Sequence, residues 1–454
     1  MQPAVANVVL CLLAAGFTIV MTLRPAKKLH LNMATAPVIS VALLLATGAV
    51  TLDNVVHAIV GDAMLAPYTV IILFLSLAYV CMSLNETGVL HTISRAVIDS
   101  AGTSYMRLFA SVFVLCSLLT VFTSNDIVIL TVTPIICHLC ERKALDPGPL
   151  LFAQFLSTNT ASAALLISNP TNIIIGVAFG LDFNSYIRVM IIPAMIATGT
   201  LFVFLVLYVR RDFRYQQHLL AQEDAPPRPF EDCHRPQHDR SITVVAVVVF
   251  LSTLLALVLS PWCQLDLWVI CLVAAVVMVV ADAVYVRRLS RVQAICKQLP
   301  WSIVPFVSGM FVIVGGLEAN GFSKSAATAL GTMFANANVF SATLVAMVVS
   351  VLACNLINNQ PMSILAVSIM KQNEFRAALP DRLWSATVFA AIAGSNFGAN
   401  LSMVGSLAGV MWTGMLRDQF KVVGAVTHLK MAAIGVFCMV PVVLMMSAAI
   451  SFVV

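Results

Sequence analysis

The chain has 454 residues, 60% of them hydrophobic and 10% charged, with a net charge of +5 and a mean hydropathy of +0.98. A soluble domain carries about 25% charged residues, so this composition excludes an ordinary soluble protein. The positive balance reads as basic loops at a membrane surface, not as a nucleic-acid footprint. The eleven cysteines are scattered, most of them inside apolar runs, which excludes a disulfide framework.

Apolar runs near the ~20 residues that cross a bilayer recur along the whole length, and they predict an all-α polytopic membrane protein. The first, 4–23, has no basic stretch before it and no small-residue cleavage site after it, so it reads as a retained span. Further full spans are expected at 34–51, 67–84, 149–179 and 187–209. Asp53, His57 and Asp62 fall in a short external segment, and Glu86 and His91 open an amphipathic interfacial stretch. The apolar stretch 106–140 is broken at its centre by Thr-Ser-Asn-Asp (residues 123–126). Each half looks too short to cross, which predicts a re-entrant helical hairpin, a form allowed only where protein or a polar cavity satisfies the open backbone. The competing reading is two spans with a polar kink. The 149–179 span is interrupted by Ser-Asn-Pro-Thr-Asn at 168–172.

Residues 210–240 are rich in charge and proline and read as a cytoplasmic linker between a first repeat, 1–209, and a second, 241–454. Cys233, His234 and His238 within it match no standard zinc spacing. The second half repeats the plan. Spans are expected at 241–260, 266–285, 301–317, 383–412 and 427–450, with an interfacial stretch opening at Glu318 and Lys324. A second hairpin is expected at 338–370, broken by Asn-Leu-Ile-Asn-Asn-Gln-Pro, and a second broken span at 395–406. With both termini outside, 20 Lys and Arg residues fall inside and 5 outside, the split expected of basic cytoplasmic loops.

The halves align at an offset of 233, pairing Pro67 with Pro300, Gly88 with Gly321, Asn125 with Asn358 and Asp126 with Asn359. Each half has five spans plus one hairpin, and an odd number of crossings inverts the second half. Inverted repeats with broken helices are the plan of secondary transporters, whose substrate and ion sites lie near the midplane. The candidate substrate and ion ligands are therefore Ser124, Asn125 and Asp126 at the first tip and Asn169, Thr171 and Asn172 in the first break. In the second half they are Asn358 and Asn359 at the tip and Ser402, Gly405 and Ser406 in the break. The bland reading of any one of them is a helix cap. A carboxylate at the bilayer centre costs about 2.5–3.5 kcal/mol on insertion scales, so Asp126 is the expected proton-coupling residue. A Na⁺ ion near Asn125 and Asp126 is the alternative coupling ion, and no other cofactor or metal is expected.

Four stretches, NDIVILTVTP at 125–134, SNPTNIII at 168–175, NNQPMSILAVSI at 358–369 and GSLAGVMW at 405–412, resemble the signatures of the ArsB-like arsenite/antimonite efflux permeases. These belong to the ion transporter superfamily, with Na⁺/H⁺ antiporters and dicarboxylate/citrate carriers. The resemblance runs from about residue 40 to 450 and implies a scaffold part and a transport part in each half, a homodimer, and a plasma or inner membrane. Two departures flank the site: Gln360 stands where the arsenite permeases carry an apolar residue before Pro361, and Ser402-Met403-Val404 replaces Thr-Pro-Ile.

The resemblance implies an antiporter exchanging a proton for a small neutral oxyacid such as arsenite, antimonite or silicic acid. The alternatives are a Na⁺-coupled dicarboxylate or citrate carrier and a Na⁺/H⁺ antiporter. Cys137, Cys140 and Cys354 could bind As(III), but buried cysteine is usually a small apolar side chain. An enzyme is not expected, since no HExxH, GxSxG or paired catalytic Asp occurs in the spans. There is no Walker A motif, so ATP drive would require a separate ATPase subunit.

Overall fold

The computed structural model describes residues 3–61, 66–221, 240–285, 289–422 and 426–454. Among the described residues the chain is all helical, with one isolated bridge between Ala26 and Leu31. Nine helices among them are long and apolar enough to cross a membrane, and the protein is a multi-pass integral membrane protein.

The first part of the chain forms α1 (Pro3–Leu23), α2 (Thr35–Ala46), α3 (Leu52–Val60), α4 (Pro67–Glu86) and α5 (Val89–Ser100). It continues as α6 (Tyr105–Phe122), α7 (Asn125–Arg142), α8 (Gly148–Ala161), α9 (Pro170–Ala178) and the long α10 (Phe183–Ala221). The second part forms α11 (Arg240–Cys263), α12 (Leu267–Tyr285), α13 (Leu289–Gln298), α14 (Ile303–Ala319) and α15 (Phe322–Ala335). After these come α16 (Val339–Ile357), α17 (Asn359–Met370), α18 (Asn373–Ala378), α19 (Asp381–Phe397), α20 (Leu407–Asp418) and α21 (His428–Val453).

Local chemistry explains many of these limits. A capping box between Thr51 and Asn54 starts α3, and Pro67 sits in the first turn of α4, where its missing N–H costs nothing. The helices α5 and α15 both follow a glycine in the left-handed region, Gly88 at φ 76° and Gly321 at φ 83°. Only glycine takes that conformation without strain, so the aligned pair marks the same chain reversal twice.

Three expectations need correction. The span placed at 34–51 is a helix of only 12 residues, Thr35–Ala46, about 18 Å long and too short to cross alone. The first arms of the expected hairpins, α6 and α16, are 18 and 19 residues long; they are long enough to cross by length and composition, whereas their partners α7 and α17 are not among the candidate spans. The linker expected from residue 210 begins later, because α10 runs on for 39 residues to Ala221. At 1.5 Å per residue it is about 58 Å long, nearly twice the hydrocarbon thickness. Cys233, His234 and His238, like Asp62, lie outside the described residues.

The two ends of the α6–α7 pair meet the same end of α10. Gln217 Oε1 accepts from the Tyr105 backbone N–H at 2.8 Å, and Gln216 Oε1 accepts from the Asp146 N–H at 3.1 Å. The Tyr105 ring packs edge-on against Phe213. The chain therefore leaves and re-enters this region on one side of the molecule. In the second half, α15 packs on α18, with Phe334 edge-on to Phe375.

One buried charge cluster joins the two halves. Asp282 on α12 is fully buried and accepts from Arg291 Nε at 2.8 Å, Tyr79 Oη at 3.1 Å and Ser83 Oγ at 2.8 Å. Arg291 also donates to the Ser83 carbonyl oxygen at 3.1 Å. This binds α4, α12 and α13 together. α7 packs on α20, the helix after the second break, and α17 packs on α9, the helix after the first.

Candidate functional site

The first break differs in place from expectation. α8 ends at Ala161, and the backbone then runs through two single 3₁₀ turns, 162–164 and 166–168. Pro170 starts α9, and Asn169 caps it by accepting from the Thr171 N–H. So the opened backbone is 162–169, and Thr171 and Asn172 lie inside the helix. Asn-Pro is a helix-start signal, with a capping amide followed by proline at the first position. In the second half α19 continues through Ser395, Asn396 and Phe397 and one 3₁₀ turn, and the opened stretch ends at Ser406, which caps α20 through the Gly409 N–H.

The first break is closed by a residue the sequence reading did not assign. Asn396, fully buried on α19, accepts from Ser162 Oγ at 2.6 Å and from Asn169 Nδ2 at 2.8 Å. Its own amide donates to Asn172 Oδ1 at 2.7 Å and to the Ile392 carbonyl at 2.8 Å. Beside it, Ser395 Oγ donates to Thr171 Oγ1 at 2.8 Å. Asn172 then spends its amide on the Ser162 and Leu165 carbonyls of the open stretch. Asn169, Thr171 and Asn172, expected to hold solute, are thus joined by hydrogen bonds to Ser395 and Asn396 at the end of α19.

At the first tip, Asn125 donates from Nδ2 to Asn159 Oδ1 at 3.1 Å and accepts from the Asp126 N–H. Ser168 in the first break donates to the Val121 carbonyl near the tip at 2.6 Å. Ser124 precedes α7 and makes no side-chain cap bond. Asp126 is partly exposed, and among the described residues its carboxylate has no hydrogen-bond or ion-pair partner.

The second tip is gripped by the second break. Asn359 N–H donates to the Gly405 carbonyl at 3.0 Å, and Asn358 Nδ2 donates to the Val404 carbonyl at 3.1 Å. Asn355 donates to the Gly398 carbonyl at 3.0 Å and accepts from Ser402 Oγ at 2.5 Å. Gly405 is required by this approach, since a Cβ there would stand 2.6 Å from the Gly398 carbonyl oxygen. Asn358 has φ 69° and ψ 155°, a conformation costly for a residue with a side chain.

This tip also shifts the pairing of the halves. Two residues, Thr123 and Ser124, separate α6 from α7, but only Asn358 separates α16 from α17. By helix position Asn125 therefore matches Asn359, and Asp126 matches Gln360 and not Asn359. The chemical asymmetry, a carboxylate against an amide, is unchanged. No hydrogen bond joins the two tips among the described residues.

The ion pairs Arg95–Asp99, Lys324–Glu374, Arg376–Asp381 and Arg417–Asp418 involve solvent-accessible side chains. The Lys324 ammonium, 2.9 Å from Glu374, lowers the pKa of that carboxyl. Cys137, Cys140 and Cys354 are buried, and the Cys354 thiol faces the Gly394 and Ser395 carbonyls at 3.8 Å. No group of three or more His, Cys, Asp or Glu able to hold a metal occurs among the described residues.

Comparison with known proteins gives a consistent picture. The model of a family described as citrate transporter (CitMHS) matches residues 17–394. A 46 kDa membrane protein of Mycobacterium leprae (strain TN) is 25% identical over 76% of this chain and 77% of its own length. An uncharacterized transporter of Mycobacterium tuberculosis is 24% identical over 77% of this chain and 78% of its own. The arsenical pump membrane protein of Escherichia coli (strain K12) is 25% identical over 76% and 78%.

Proposed function

The chain belongs to the CitMHS citrate transporter family, and from its likeness to an arsenical pump membrane protein we propose that it exports a small neutral oxyacid, with arsenite and antimonite as the first probes, in exchange for protons. It is a secondary transporter and not an enzyme. The finer reading rests on one observation: of the tip and break residues, Asp126 alone is charged, and the rest offer amides, hydroxyls and backbone carbonyls. Arsenite at neutral pH is an uncharged trihydroxide, and it needs hydrogen-bond partners but no cationic side chain. Asp126 is the proton carrier, since a carboxylate with no fixed cation partner can gain and lose a proton as the site changes side.

The two parts of the chain form an inverted repeat, and α6–α7 and α16–α17 are re-entrant hairpins. What supports this is the element order, which recurs from α4–α10 to α14–α21 with the short α18 added. The convergence of Tyr105 and Asp146 on α10 supports it too, as does the aligned pair Asn85 and Glu318, which accept from hydroxyls on α7 and α17, Thr131 and Ser368, one helical turn apart in the alignment. The solute lies between the tips, and Asn125, Asn358 and Asn359 with Gly405 and Ser406 shape its pocket.

A second reading, coupled transport of citrate or a related carboxylate, is favoured by the printed description of the family. Everted membrane vesicles given arsenite, antimonite, silicic acid or citrate, under an imposed pH or Na⁺ gradient, separate the two. Accumulation of arsenite or antimonite driven by the pH gradient supports the first reading. Accumulation of citrate alone overturns it.

A further inference from the structure

The exposed face of α10 changes character along its length. From Val189 to Val209 the helix carries no charged side chain. At 1.5 Å per residue that stretch is about 31 Å long, the thickness of a bilayer's hydrocarbon core. Within it Ile192, Ile196, Val203 and Leu207 are exposed, and their helical spacing puts them on one face. Among the described residues nothing covers that face, and its side chains suit lipid tails. The same face then runs on into Arg210, Arg211 and Arg214. All three are exposed, and none pairs with a carboxylate among the described residues. Asp212, which lies between them in sequence, falls on the opposite face by helical spacing. Tyr208 and Tyr215, both exposed, flank the cluster along the helix, as aromatic side chains do where a span leaves the hydrocarbon.

This end of α10 is braced against the rest of the fold. Phe213 packs on Tyr105 and Phe109. Gln217 accepts from the Tyr105 N–H and donates to the Thr103 carbonyl at 2.6 Å, while Gln216 accepts from the Asp146 N–H. The three guanidinium groups therefore project from a fixed helix at the level where the apolar face ends. A guanidinium is a planar fork of donors that matches a phosphate oxygen pair, and anionic leaflets attract clustered cations at this depth.

We propose that Arg210, Arg211 and Arg214 form a binding surface for anionic phospholipid headgroups. Depth and face favour a lipid over a soluble anion, because a phosphodiester can meet the arginines while its acyl chains lie along Val203 and Leu207. Occupancy holds the end of α10, and through Gln216 and Gln217 it holds the start of α6 and the turn after α7. The inference does not depend on which solute is carried.

The test uses the full-length protein in nanodiscs of phosphatidylcholine alone and of phosphatidylcholine mixed with phosphatidylglycerol. Wild type should melt at a higher temperature with phosphatidylglycerol present, and raised salt should shrink that shift. The triple variant Arg210→Gln, Arg211→Gln, Arg214→Gln should lose most of the shift and melt as wild type does in phosphatidylcholine alone. Arg210→Lys, Arg211→Lys, Arg214→Lys should keep most of it, since charge supplies the attraction. In neutral detergent, a fluorescent phosphatidylglycerol should bind each single Arg→Gln variant about fivefold more weakly, the equivalent of about 1 kcal/mol per cation. Arg417→Gln, at an exposed cation already paired with Asp418, should bind it as wild type does. No shift in wild type, an equal shift in the triple Gln variant, or a triple Gln variant that melts lower by the same amount in both lipids overturns the inference. The arginines would then serve the fold or the chain beyond Ala221. Inorganic phosphate that reproduces the shift in phosphatidylcholine alone also overturns it, since the surface would then take a free anion.

Discussion

Replacing Asn396 by alanine removes the amide through which the second half closes the first break. Three of its bonds run between helices or to the open stretch, to Ser162, Asn169 and Asn172. Ser162 keeps a second acceptor, the Asn159 carbonyl, but Asn169 Nδ2 and Asn172 Oδ1 lose their side-chain partner in a fully protein-lined place. Interhelical hydrogen bonds in membrane proteins average about 0.6 kcal/mol and reach about 1.7, so three of them amount to roughly 2–5 kcal/mol. Asn396→Asp should be at least as damaging, because a carboxylate would face Asn172 Oδ1 and the Ile392 carbonyl with no proton to donate. Reversible unfolding in mixed detergent micelles, followed by tryptophan fluorescence, measures the loss. An Asn396→Ala protein within about 0.5 kcal/mol of wild type, below the average for one such bond, would refute the view that this network holds the two breaks as one body.

Two further substitutions probe the contacts around that body. Asp282→Leu leaves Arg291 buried without its carboxylate and should cost about 3–5 kcal/mol, while the double replacement Asp282→Leu with Arg291→Met should recover most of it; a thermal-melting double-mutant cycle reads both, and strictly additive losses would contradict a coupled pair. Gly405→Ala drives a methyl into the Gly398 carbonyl and should cost about 1–3 kcal/mol through overpacking. Because Gly405 also accepts from the second tip, transport in vesicles should fall with it.

Polar residues inside apolar runs were legible because they are costly there, and the two tips stand where that cost predicts, whereas the first break opens at 162–169 and the second only after Phe397. Their partners were not legible. Asn396 and Asn172 are 224 residues apart, and nothing local distinguishes an asparagine that locks a break from one that faces a solute. The start of α9 at Pro170 was readable from Asn169-Pro170 as cap and first position, and the expected break at 168–172 overlooked it. The amphipathic helices α5 and α15 were visible from their periodicity. The short α2 was not, because residues 47–51 continue its apolar run while Gly48, with φ 71°, ends the helix. Asp282 sits at the end of an apolar span, and only folding brings it to Tyr79 and Ser83 on α4.

The coupling role of Asp126 is the central claim, and one measurement addresses it directly. Vesicles carrying wild type or Asp126→Asn are loaded with arsenite, and transport is followed with and without an imposed pH gradient. The account predicts that Asp126→Asn still exchanges arsenite down its concentration gradient but loses accumulation driven by the pH gradient. Full gradient-driven accumulation by Asp126→Asn would contradict it.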